Sequence, residues 1–478
     1  MEREDHTISI LEGETSNSER NEDYETSKGH DQFVTTTDAN HSTTNEKVFS
    51  LEDELKKLKK LKEVRVKPEK PKIGKVVCYL REHEKFNKCY EPMVVSLGPI
   101  HHCNTKYKVA EKYKLRLANE FIEESGKSDE ELYKKVEKNI KQLKEYYDPE
   151  VIKEYDDKNL AWMLFVDGCA ILQFIYSDVH KGLKESKIKK DLKFFVNRDL
   201  FLLENQLPYR LLIYLINSSE NRRDQLKESI ELFIDKKSTI KRDEQNANAE
   251  NEPIHLLDKL RTRLIGCSSF QSPNSNRKAR KNKSPSWTGK NKWPSFRNVQ
   301  ELKAVGIQLK PSNSRCLKDI SFTKKWNFYP GILSLPPIIV DDSTGPKFLN
   351  LIAYEMSPDF ENDYDVTTYI SFIDSLIDEP NDVMKLRKAR ILKNCLGSDE
   401  KVCQFFNEIS TDLVPNKKLY SDVQFKIQTY YDNKVMTWIS QFYHSHFNTP
   451  WTLLAFIGAL LALSLSVIQT VYAIKSYI

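Results

Sequence analysis

LAWMLFVDGCAILQFIY, running from Leu160 to Tyr176, is the stretch whose reading decides the architecture. As a membrane span it would make the chain polytopic; as a core helix it organises a helical globular domain around itself. It is short beside the ~20 residues a span needs, and Asp167 near its centre costs about 2.5–3.5 kcal/mol on insertion. A buried core helix is the better reading. Asp167-Gly168 then carries a buried carboxylate, which must have a local partner or an Arg or Lys contact.

A second apolar stretch reads differently. Trp451 to Ile474, WTLLAFIGALLALSLSVIQTVYAI, has no charged residue, and its only polar residues are Thr452, Ser464, Ser466, Gln469 and Thr470. As a helix it spans roughly 36 Å, enough for a hydrocarbon core of about 30 Å. Trp451 and Tyr472 stand near its ends, where amphipathic rings favour the headgroup level. The expectation is a transmembrane helix followed only by Lys475-Ser476-Tyr477-Ile478. The N-terminus, MEREDHTISILEGETS, lacks the basic start and apolar run of a secretory signal. A tail anchor is therefore expected, in the plasma membrane or an endomembrane, with the bulk of the chain in the cytosol.

Charge is segregated along the chain. The net charge is +5, yet Met1 to Ser50 holds twelve acids against four bases. Residues 1–72 read as a disordered acidic extension that includes a short charged helix punctuated by Leu51, Leu55, Leu58 and Leu61. Residues 73–448 read as the helical domain, and 449–478 as the anchor. Within the domain, Gly266 to Arg297 holds eight Lys/Arg and no acid and reads as a disordered basic insertion. No aromatic stacking platform alternates with its charges, so no nucleic-acid partner is expected; its core, Arg277 to Lys283, could meet lipid headgroups. The eight cysteines have no CxxC spacing, and reduced thiols suit a cytosolic domain.

Helical signals dominate. Ser128-Asp129-Glu130-Glu131 fits a capping box, followed by Leu132, Val136, Ile140, Leu143 and Tyr147 at helical spacing, with Asp148-Pro149 expected to end that helix. Asp199 to Asn217 is broken by Pro208, so two elements meet there. Further helices are expected around His255–Leu260 and over Lys347–Glu355, Val366–Ile377 and Lys401–Ile409, with a short strand or extended segment in Ile332–Val340. The class is mainly α: a helical globular domain, a few short strands and one C-terminal transmembrane helix.

No Walker loop, dinucleotide GxGxxG, GxSxG elbow, HExxH or kinase signature occurs. His101-His102-Cys103 matches no zinc pattern and reads as a turn after Gly98-Pro99, so no metal is expected. Asp341-Asp342-Ser343-Thr344-Gly345 lacks the spacing of an aspartic protease motif and reads as a turn with Asp hydrogen-bonded to backbone. Glu204-Asn205-Gln206-Leu207-Pro208 places three polar residues in an apolar segment; they are expected to satisfy loose backbone groups where the chain breaks at Pro208.

These clusters, in this order, carry a resemblance. Val95-Ser96-Leu97-Gly98-Pro99-Ile100-His101-His102, Leu164 to Cys169, Asp199 to Pro208, His255-Leu256-Leu257, Glu301 to Gly306, Leu335 to Ile338, Asn350 to Glu355 and Asn394 to Asp399 resemble the blocks of the plant family catalogued as domain of unknown function 247, also uncharacterised protein family 0481. Tyr430-Tyr431, Asn448 to Trp451 and Gln469 to Tyr472 extend the match to the C-terminus. The chain departs from the family pattern at Ile100, Cys103 and Ala170. The resemblance implies a land-plant membrane protein with one C-terminal span, no established activity and no catalytic residues to carry over. Some relatives in grasses are implicated in self-incompatibility as pollen-side recognition determinants. The leading expectation is a membrane-tethered protein-interaction or signalling component, without enzymatic activity or cofactor. The rival is a hydrolase using Glu204, Asp167 or His101.

Overall fold

The computed structural model describes residues 71–102, 104–180, 190–240, 252–266, 298–324, 330–360, 364–411, 413–432 and 450–476. All but the last two residues of the acidic extension, the Leu51–Leu61 helix included, Cys103, all but the first residue of the basic insertion, and the segment preceding Pro450 lie outside them.

The first helices are α1 (Lys108–Ser125), α2 (Asp129–Lys138) and α3 (Ile140–Lys144). Ser128 caps α2, its hydroxyl accepting the Glu131 N–H at 3.3 Å, and Leu132 and Val136 are buried. The continuous helix expected from Leu132 to Tyr147 is instead broken at Asn139, whose side-chain amide donates to the Lys135 carbonyl at 2.7 Å. Asp148-Pro149 also starts an element rather than ending one. Asp148 accepts the Glu150 N–H at 2.9 Å and Pro149 opens a one-turn helix to Ile152, since proline lacks only a donor that the first turn leaves unused.

At the centre lies α4 (Asp157–His180), which contains the Leu160–Tyr176 stretch. Seventeen of its residues are buried, Asp167 and Gly168 among them, so an apolar surface around most of its circumference faces protein. Helices α1, α2, α6 (Tyr209–Ser218) and α7 (Arg223–Ser238) pack around it, with α5 (Lys190–Asp199) between α4 and α6 in sequence. Gly168 permits the closest approach: a Cβ there would lie 2.7 Å from Leu215 Cδ1 and 3.2 Å from Leu211 Cδ2 of α6.

The second half begins with α8 (Leu256–Ile265) and α9 (Val299–Ala304). Strands β1 (Gln308–Pro311), β2 (Ser321–Thr323) and β3 (Ile332–Leu335) form a sheet ordered β1-β3-β2, with β1 parallel and β2 antiparallel to β3. Strand β4 (Ile338–Val340) pairs in parallel with the distant β5 (Leu392–Asn394), Ile338 opposite Leu392. Pro336-Pro337 separates β3 from β4, because proline supplies no N–H for a continuous ladder. Helices α10 (Thr344–Glu355), α11 (Asp365–Asp374), α12 (Pro380–Lys388), α13 (Asp399–Ile409) and α14 (Ser421–Tyr431) complete this half. One continuous apolar core runs from Ile73 to Tyr430. The last helix, α15 (Pro450–Lys475), has a different character: its described side chains are exposed along its whole length.

Candidate functional site

Segment 73–102 has little regular structure, so its backbone groups need partners from elsewhere. Four side chains, from α4, the last residue of α5 and the segment that follows it, supply them. Asp199, fully buried, accepts the N–H groups of Met93, Val94 and Val95 at 2.8–3.0 Å. Asn205 accepts the Leu97 N–H at 2.7 Å and donates to the Val95 and Asp199 carbonyls. Asp167 accepts the Gly98 N–H at 2.8 Å, and Glu204 accepts the Val76 N–H at 2.8 Å. The strap is thereby clasped onto the core.

Asp167 and Glu204 each have a second commitment. Asp167 Oδ1 receives Lys114 Nζ at 2.6 Å, and the same ammonium donates to the Ser96 carbonyl at 2.8 Å. Burial raises the Asp167 carboxyl above its ordinary range despite Lys114. Burial also pulls the Lys114 ammonium down, but Asp167 and Glu111 overturn this and leave it above its usual range. Glu204 Oε2 meets Arg81 Nη1 at 2.6 Å and His101 Nε2 at 3.0 Å. Burial pushes Glu204 up, but the His101 ring, the Val76 N–H and Arg81 hold it below the usual carboxylate range.

Gln206 extends the network into the second half. Its amide donates to the carbonyls of Leu200 and Leu202, and its oxygen accepts the Leu257 N–H at 3.0 Å in the first turn of α8. The break at Pro208 thus lies where the sequence places it, with Pro208 just before Tyr209, whose N–H donates to the Ile254 carbonyl at 2.7 Å. The polar trio does satisfy loose backbone, but most of that backbone is remote: Val76, Leu97 and Leu257 are supplied by other segments. That is the correction to a purely local reading of Glu204-Asn205-Gln206.

Gly98 sits at φ +66°, and a Cβ there would lie 3.2 Å from the Gln206 carbonyl oxygen. The Pro99 carbonyl accepts the Tyr155 hydroxyl at 3.1 Å, and the His102 ring stands edge-on to Tyr155 at 6.2 Å. So Gly98, Pro99, His101, Asp167, Glu204, Asn205, Gln206 and Pro208 converge on one clasp, with His102 beside it and Gly168 behind it on α4. Among the described residues no three His, Cys, Asp or Glu side chains are placed to hold a metal ion. Asp341 forms the expected turn, its Oδ1 accepting the Ser343 N–H at 3.0 Å.

Lys114, Asn350 and Arg81 belong to this network and escape the sequence reading. Asn350 accepts the Leu203 N–H and donates to the Cys89 and Pro346 carbonyls. For Lys114 a signal exists: Ala110, Lys114, Ala118 and Phe121 share the buried face of α1, so a lysine interrupts an apolar stripe. Beside it opens an apolar cavity of about 210 Å³, bordered by Val94, Ala110, Tyr113, Lys114 and Phe174 but by none of Asp167, Glu204 or His101. Both oxygens of Asp167 and of Glu204 are committed to partners, so the arrangement is suited to holding backbone in place.

The chain is 29% identical over 437 residues to UPF0481 protein At3g47200 of Arabidopsis thaliana, covering 84% of this chain and 87% of that protein. It is 27% identical over 174 residues to the putative UPF0481 protein At3g02645 of the same plant, covering 36% of this chain and 32% of that one. No solved structure matches. The model of the DUF247 family, described as plant protein of unknown function, matches residues 73–465, and the chain belongs to that family.

Proposed function

We propose that this chain is a membrane-tethered recognition protein, held by α15 and binding a protein partner through its helical body. The observation that carries the reading is a contrast between two long apolar helices. Asp157–His180 and Leu454–Lys475 are both long and apolar enough to cross a membrane, but 89% of the apolar window of the first is buried within the protein and none of the second. Leaving Leu454, Leu461, Leu463, Leu465 and Val467 exposed to water is costly at ~25 cal/mol per Å² of apolar surface, and lipid removes that cost. Recognition is favoured over a hydrolase because the acceptor atoms of Asp167 and Glu204 are occupied by backbone and cations. The recognition role of some grass relatives points the same way, and the cytosol is the proposed side.

The test is fractionation of full-length protein expressed in plant cells. The full chain is expected in the membrane pellet after carbonate washing, and a chain ending at Asn448 in the supernatant. Full chain recovered in the supernatant would sink the reading. Topology is read from the sequons Asn217-Ser218-Ser219 and Asn282-Lys283-Ser284: a glycosidase-sensitive shift would place the body outside the cytosol.

A further inference from the structure

A cavity of about 310 Å³ lies between the C-terminal end of α7 and the N-terminal end of α10, with Arg198 of α5 and Ile338 and Ile339 of β4 on its walls. Five cations line it: Arg198, Lys236, Lys237, Arg315 and Lys347. Asp341 is the sole carboxylate on its wall among the described residues, and its Oδ1 is already engaged by the Ser343 N–H, the Ser343 hydroxyl and the Thr344 hydroxyl. Lys236 pairs with Asp178 at 2.9 Å. Among the described residues Arg198, Lys237, Arg315 and Lys347 form no ion pair. Arg198 spends Nη2 on the Lys88 carbonyl, while its buried Nε has no partner.

Such crowding is unfavourable by itself. Lys237 is pushed down to about 8, chiefly by burial; Asp178 opposes this, while Lys236, Lys193 and Lys347 add to it. Burial likewise lowers Lys347, against the opposing charge of Asp341. Lys236 and Lys237 stand in the last turn of α7, where the helix dipole favours cations, but Lys347 stands in the first turns of α10, where the dipole opposes one. A bound anion reverses each of these costs. The volume falls within the ~300–1,000 Å³ of small-ligand sites, and the ligand would meet lysines, arginines and a helix N-terminus, the usual donors to phosphate.

We propose that this cavity binds a ligand carrying two or more phosphate groups, of the phosphorylated inositol class, either free or as a lipid headgroup. Monovalent anions leave most of the cation charge uncompensated, whereas a polyphosphate spans α5, α7 and α10 at once. The site does not depend on whether α15 spans a bilayer.

The test uses full-length protein in nanodiscs of neutral lipid. Inositol trisphosphate is titrated with melting temperature and affinity as readouts, inorganic phosphate serving as the weak comparator. The trisphosphate is expected to bind and to raise the melting temperature, and Lys237→Gln/Lys347→Gln to weaken binding at least about tenfold. Without ligand that double variant is expected to melt no lower than wild type, because like charges have been removed. The exposed Arg315→Gln provides a second variant that leaves packing untouched. Co-flotation with vesicles containing phosphatidylinositol bisphosphate, but not with phosphatidylserine vesicles, assigns the lipid source; binding of the free trisphosphate alone assigns the soluble one. Absence of binding to any probe overturns the proposal. So does equal binding by wild type and both variants, which would move the contact to another basic patch such as Arg277 to Lys283.

Discussion

Asp167 and Lys114 form a buried pair of opposite charges at 2.6 Å. Both are nearly excluded from solvent, at 1% and 3% exposure, so removing one partner strips the other of its buried counter-charge, Lys114 keeping only the half-exposed Glu111 at 2.8 Å. Asp167→Ala is expected to destabilise the protein by about 3–5 kcal/mol in urea unfolding, and the double variant Asp167→Leu/Lys114→Met to recover most of it. His255 makes a different prediction at this scale. Fully buried, it caps α8 through Nδ1, which accepts the Asp258 N–H at 3.0 Å, so the neutral ring carries its proton on Nε2. Burial lowers it from 6.5 to about 4. A depressed folded value means that its stabilising effect is present above pH 6.5 and lost as pH falls toward 4, up to about 3 kcal/mol. Unfolding free energies across that window test the slope, and His255→Asn, which keeps the cap, should flatten it.

Between elements, the close contact of α4 with α6 depends on Gly168. Two methyl groups added there would be driven into Leu211 and Leu215, which already crowd the position of a Cβ. Gly168→Val is expected to cost about 1–3 kcal/mol or more through overpacking, and Leu215→Ala in the same chain to restore part of it; chemical denaturation of the three proteins checks this. The helices α10 and α11 are joined by another buried charge. Glu355 receives Arg261 Nε at 2.8 Å and accepts the N–H groups of Val366 and Thr367, so a carboxylate at the end of one helix caps the start of the next. Helices with a clear apolar period or cap are legible in the sequence, as at Ser128, His255 and the 347–355 segment. Helices α1, α5, α7, α9, α12 and α14 and strands β1, β2 and β5 are not. A lysine interrupts the buried face of α1, and the three-residue strands are too short to show a period.

On the scale of the whole molecule, the core from Ile73 to Tyr430 is continuous, while the described α15 side chains are exposed. A chain ending at Asn448 is therefore expected to keep the helical circular dichroism and the thermal midpoint of the body. A large drop in that midpoint would mean that α15 packs on the domain instead of into lipid. The clasp at Gly98, Asp167, Glu204, Asn205 and Gln206 was half legible: the residues stand out as polar groups in apolar runs, but their partners lie 50 to 130 positions away.

By itself the sequence determined the mainly helical class, the burial of Leu160–Tyr176 and the break at Pro208. Those follow from local physics: apolar period, the cost of a charge in lipid, and the geometry of proline. Only the tertiary structure decided that Asp199, Glu204 and Asn205 hold the 76–98 strap, that Lys114 neutralises Asp167, that β4 pairs with β5, and that five cations surround one cavity. Hydrogen bonds and charges act over a few ångströms in space, and residue spacing along a chain carries no record of which distant segments the packing of the core brings within that range.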